Sequence, residues 1–187
     1  MDINQSWPTL VSIILGLGVA DLLANLHRLI DARKRVHWDP LPLLWAVIVL
    51  LWLFNYWWAV ATYLDGSQNA RVVGYFVLLA IPPIILFLMA ASVLPHAMAE
   101  GRFDMRGDWA DRRGVFLTLF AINQTVTWAT VVITRHSIPW DSASILRTSV
   151  LGLVLLALLL KSRRVEWVVV LAVLALVVLR LSMQTVR

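Results

Sequence analysis

Three stretches of this chain, residues 41–64, 72–95 and 114–134, contain no Asp, Glu, Lys or Arg. Each exceeds the roughly 20 residues that an α-helix needs to cross about 30 Å of hydrocarbon at 1.5 Å per residue. In surroundings without water every backbone N–H and C=O must be paired within the protein, and a continuous apolar run does so as a helix. The composition agrees, with 60% of the 187 residues hydrophobic and 14% charged, against usual shares of roughly 45 to 50% and about 25%. A water-soluble domain is excluded. Disorder is excluded too, because it needs low hydrophobicity and high net charge.

The remaining apolar sequence divides into three more segments, so the expected fold is an all-α integral membrane protein. It is read as one polytopic domain, a six-transmembrane-helix bundle with short loops and spans near 7–30, 41–64, 72–95, 114–134, 143–160 and 165–183. The first span carries Asp21, Asn25, His27 and Arg28 in its second half. The last two have uncharged runs of only 148–160 and 167–179, short enough to suggest a re-entrant hairpin. Such a hairpin would carry Lys161, Arg163 and Arg164 toward the bilayer centre, at a cost of about 2.5 kcal/mol or more each. Two spanning helices are expected instead, with Arg147, Glu166 and Arg180 snorkelling at their ends.

The formal charge of +5 is explained by topology and calls for no nucleic-acid partner. With Arg28 counted in the first connection, the odd-numbered connections hold 11 Lys and Arg, and the even-numbered ones and the tails hold 5. The positive excess marks cytoplasmic loops, which places both termini outside. No basic n-region or small-residue cleavage site accompanies the first segment, so it is expected to remain as an anchor. The absence of cysteine excludes disulfides, thiolate metal sites and cysteine nucleophiles. Of the ten tryptophans, Trp7 and Trp140 fall near the expected outer boundary and Trp38, Trp109 and Trp167 near the inner one, as an aromatic belt. Trp45, Trp52, Trp57, Trp58 and Trp128 fall within spans and are expected to face lipid. Arg35-Val36-His37-Trp38 echoes Arg164-Val165-Glu166-Trp167, an echo that interfacial boundaries produce independently.

The run Gly16-Leu17-Gly18 through Leu22-Leu23-Ala24-Asn25-Leu26-His27-Arg28-Leu29, the basic turn after it, and Leu43-Leu44-Trp45 to Trp57-Trp58 resemble small six-helix inner-membrane proteins of bacteria. The resemblance covers mainly the first two helices. It implies a bacterial inner (plasma) membrane location and supplies no activity, cofactor or functional residue.

Several polar residues inside the spans are candidates for function. Asp21, Asn25 and Arg28 lie at i, i+4 and i+7, on one helical face. A carboxylate at that depth must find a hydrated cavity, a hydrogen-bonding neighbour or a proton. Asn123 and Gln124 fall mid-span with Thr127 and Thr130 beyond them, and Asn55 lies in the second span. Amides there either join helices or line a polar path. Pro82-Pro83 removes two backbone donors at the centre of the third span and is expected to kink it, as a hinge. His27 with Asp31 and His96 with Glu100 are two i, i+4 pairs of metal-ligating type. Lacking any known metal motif, they are expected to be solvated helix ends, with no metal or other cofactor. Residues 97–113 mix acids with arginines and are expected to form a hydrated connection, with Met105 and Trp109 as the elements of a short interfacial helix or partner-docking loop. No nucleophile-elbow, phosphate-loop, zinc or dinucleotide motif occurs, so an enzyme is disfavoured. The expected function is a small ion or solute channel or transporter-like bundle. The alternatives are a membrane scaffold or sensor subunit whose cytoplasmic loops bind a protein partner and, more weakly, a metal-dependent membrane enzyme. The bilayer is the expected environment and a homo-oligomer an open expectation.

Overall fold

A computed structural model describes the backbone of residues 3–64, 73–96, 101–135 and 142–185, and the side chains of 8–59, 80–96, 101–133 and 144–182. Six helices follow in order: α1 Ile3–Asp31, α2 Pro40–Leu64, α3 Val73–Val93, α4 Met105–Arg135, α5 Ser142–Leu160 and α6 Arg163–Thr185. Two two-residue strands, β1 Val36–His37 and β2 Phe103–Asp104, pair in parallel, so the α1–α2 connection lies beside the start of α4. Among the described residues, four helices are long and apolar enough to cross a membrane, over Pro8–Asp31, Pro40–Ala59, Met105–Ile133 and Arg163–Ser182. The expectation for Trp7, Trp140 and Glu100 lies outside the described side chains.

Helices α2 to α6 form a closed ring in which each packs on the next and α6 returns to α2, while α1 lies in the outer groove between α2 and α3. Gly18 permits that close approach: a Cβ there would stand 3.4 Å from the Leu53 side chain and 3.5 Å from the Phe87 backbone. Inside the ring, large side chains of α2 and α4 meet edge-on. Trp45 lies 5.4 Å from Phe116 and 5.7 Å from Phe120, and Trp52 lies 5.5 Å from Phe120. This corrects the lipid-facing expectation for Trp45 and Trp52, which are buried. Trp57 and Trp58 are exposed as expected, and Trp57 donates to the Ser12 hydroxyl at 3.3 Å.

The helix starts are chemically marked. Asp39 accepts from the Leu41 N–H at 3.2 Å and so caps α2, with Pro40 at the first helical position, where a missing N–H costs nothing. Asp104 accepts from Arg106 N–H at 3.1 Å and Gly107 N–H at 3.2 Å. That cap starts α4 at Met105, nine residues ahead of the expected span, and corrects the reading of 105–113 as a hydrated connection, while 97–100 lie outside the described residues. Met105 and Trp109 are buried in the first turns of α4 and do not rest on a membrane surface. Helices α5 and α6 are separated by Lys161 and Ser162 alone, with Lys161 in the left-handed region at φ 45°. α3 continues as one helix through Pro82 and Pro83, both buried.

Candidate functional site

The C-terminal ends of α1, α3 and α5 and the N-terminal ends of α2, α4 and α6 gather at one end of the bundle, and three polar clusters hold them together. The first is built on α1. Asn25, 1% exposed, donates from its amide nitrogen to Asp21 Oδ2 at 3.1 Å and faces His96 Nδ1 at the same distance. An amide nitrogen has two hydrogens, so it serves both acceptors, and neutral His96 then carries its own proton on Nε2. Arg28 donates to Asn25 Oδ1 at 3.5 Å and to the His96 backbone carbonyl at 3.0 Å. The expected Asp21–Asn25–Arg28 face is therefore real, and its partner is the segment leaving α3. His96 Nδ1 stands 4.0 Å from Asp21 Oδ1, with both side chains partly exposed.

The second cluster joins distant segments. Asp39, 2% exposed, receives Arg163 on both carboxylate oxygens, at 2.8 and 2.7 Å, which ties the start of α2 to the start of α6. Nearby, Trp109 Nε1 donates to Glu166 Oε1 at 2.7 Å, and Arg113 Nε pairs with Glu166 Oε2 at 3.5 Å. Glu166 is 3% exposed, which corrects its expected snorkelling. Trp109 likewise belongs to the interior and not to an aromatic belt.

The third cluster is a pair of consecutive arginines. Arg112 pairs with Asp108 and donates to the carbonyls of Ser92 at 3.0 Å and Leu94 at 2.8 Å, at the end of α3. Arg113 donates to the Ala157 carbonyl at 2.7 Å, in the last turn of α5. The final carbonyls of a helix lack intrahelical partners and carry the negative end of its dipole, so each guanidinium satisfies both needs. Sequence reasoning missed Asp39, Trp109, Arg112, Arg113, Arg163 and Glu166 as partners. Only Asp39-Pro40 carried a local signal, as a helix-start dipeptide.

Outside these clusters, His37 Nδ1 lies 3.6 Å from Asp104 Oδ1. The Arg106 N–H first, with the Gly107 N–H and His37 behind it, holds the Asp104 carboxyl below the usual carboxylate range. His27 and Asp31 pair at 3.4 Å on an exposed face of α1, apart from His96. Among the described residues, no three His, Asp or Glu side chains converge as metal ligands.

The middle of α4 is different. Asn123 and Gln124 are each 1% exposed, and Asn123 Oδ1, both polar atoms of Gln124 and the Thr127 hydroxyl have no hydrogen-bond partner among the described residues. They lie about nine residues, or ~14 Å along the helix, beyond Gly114. Thr130 turns back to the Val126 carbonyl at 2.8 Å. Asn55 is half-buried on α2 and has an interaction partner. Asp21 and Asn25 on α1 and Asn123 and Gln124 on α4 thus occupy two separate polar sites. No described hydrogen bond or ion pair joins them into one track.

Ring, aromatic interior and apolar helices define a small helical bundle of membrane-protein type. Compared with protein-family models, curated proteins and solved structures, the chain matches none.

Proposed function

We propose that this protein is a six-span membrane bundle that binds and passes a small solute through the ring of α2 to α6. One observation carries the reading: four polar atoms of Asn123, Gln124 and Thr127, in the middle of α4, are buried without a partner among the described residues. A buried amide left unpaired costs about 1–3 kcal/mol, so amides kept only to join helices would be expected to bond across them. A few polar groups set among apolar side chains are the usual form of a ligand site. The clamps at the basic end support the same reading, since they fix the helix ends and leave the middle of α4 to bind.

In this reading α3 and α5 also span, at about 31 and 28 Å for their lengths at 1.5 Å per residue. The basic connections face the cytoplasm with both termini outside, and the resemblance of the first two helices favours a bacterial inner membrane. Purified protein in vesicles should raise the permeability of at least one small solute or ion, and Asn123→Leu should lower it at equal folded amount. A cytoplasmic reporter active on the C-terminus would reverse the orientation without touching the site.

A further inference from the structure

We infer that the site on α4 takes an uncharged solute, one with hydrogen-bond donors and acceptors on one edge and an apolar flank, and this rests on the solute-binding reading above. The floor of the site is the first ground. Phe116, Phe120, Gln124 and Thr127 follow one another at i, i+4, i+8 and i+11, so they share one face of α4. The two phenylalanines on that face are locked in the ring interior, 6.1 Å apart, between Trp45 and Trp52 of α2. Trp109 extends the same column toward the basic end, 5.4 Å from Phe116. Gln124 therefore stands one turn from a buried aromatic column, whose rings can flank an apolar surface and offer an ion no oxygen.

Charge is the second ground. No Asp, Glu, Lys or Arg occurs between Arg113 and Arg135 on α4, between Arg147 and Lys161 on α5, between Glu166 and Arg180 on α6, or anywhere along α2 and α3. The acid nearest mid-depth, Asp21, belongs to α1 outside the ring and accepts from Asn25. Taking a carboxylate- or ammonium-sized ion into such surroundings has an idealised cost of order 20 kcal/mol. Three neutral side chains do not replace a hydration shell. The unpartnered set instead suits a neutral molecule: Asn123 Oδ1 and Gln124 Oε1 accept, Gln124 Nε2 donates, and the Thr127 hydroxyl does either.

The test uses the full chain in vesicles, with urea and glycerol as neutral probes followed by light scattering, and K⁺ and Cl⁻ followed by electrodes on the same preparation. The inference requires that urea or glycerol crosses faster than in protein-free vesicles while K⁺ and Cl⁻ stay at background. It also requires that Gln124→Leu loses this flux and melts in detergent at the same or a higher temperature. Movement of K⁺ or Cl⁻ without either neutral probe would overturn the uncharged class and leave a solute path standing. Silence of all four probes would overturn both. A lower melting temperature for Gln124→Leu would make the amide a strut between helices and end its role as a site; the wild-type comparison of probes does not depend on that variant folding.

Discussion

Asp39 and Gln124 are almost equally buried, at 2% and 1% exposure, yet their surroundings differ completely. Asp39 takes Arg163 on both oxygens and the Leu41 N–H besides, whereas neither polar atom of Gln124 has a partner among the described residues. The same contrast separates two tryptophans: Trp109 donates to Glu166, and the Trp45 N–H, in the same aromatic column, has no partner among the described residues. Buried polar groups that serve stability are normally bonded. The basic end, where Arg112 and Arg113 each have partners despite an Nε without a hydrogen bond, is therefore a clamp, and the middle of α4, where Gln124 has none among the described residues, bears a cost to stability that binding would explain.

The contrast can be broken most forcefully at the clamp. Arg163→Met leaves the Asp39 carboxylate buried and unpaired, a change that typically costs about 3–5 kcal/mol, read as a lower midpoint of unfolding in detergent. A loss below about 1 kcal/mol, the value of an exposed ion pair, would mean that the basic end is hydrated and clamps nothing. Next in size, Trp109→Phe removes a donor to a charged acceptor and should cost about 1.5–3 kcal/mol. Trp45→Phe removes an N–H that bonds to nothing, so it should cost less than its counterpart. Equal losses would erase the distinction between the two tryptophans. At the α5–α6 turn, Lys161 holds a left-handed conformation that costs a side chain roughly 1–2 kcal/mol. Lys161→Gly should therefore raise the unfolding midpoint, offset in part by the greater freedom of glycine in the unfolded chain.

The smallest effect is a pH dependence at the start of α4. A carboxyl whose folded pKa is lowered contributes stability above its unfolded value, near 3.9, and loses it as pH falls through the lowered one. For Asp104 the contribution is complete above about pH 4–5 and fades below that. Amide exchange at Arg106 and Gly107, taken relative to its intrinsic rate at each pH, should rise over that acid range in the wild type. In Asp104→Ala it should be fast at every pH, and an unchanged acid response there would assign the effect to another group.

Much of the helical architecture was legible because it depends on local properties. Charge-free runs long enough to span dictate helices, and residues 41–64 and α2 coincide. The polar face of Asp21, Asn25 and Arg28 followed from the helical period alone. The start of α4 was misplaced because Asp108, Asp111, Arg112 and Arg113 look like loop residues when counted as charges. In the fold these residues lie in the first turns of a helix, and both arginines reach the carbonyl ends of neighbouring helices. Trp45 and Trp52 were assigned to lipid for a related reason: α2 is apolar on every side, so its sequence carries no period to mark the inner face.

The sequence by itself determined that this chain forms apolar helices and which polar residues interrupt them, since hydrophobicity and helical spacing act between near neighbours. Only the tertiary structure decided which of those residues are satisfied. Asp39 finds Arg163 at a separation of 124 residues, Trp109 finds Glu166 at 57, and Asn25 finds His96 at 71. Such pairings depend on how the ring closes and on which face of each helix turns inward. That choice comes from side-chain packing between segments far apart in the chain, and it left Gln124 above the aromatic column without a partner.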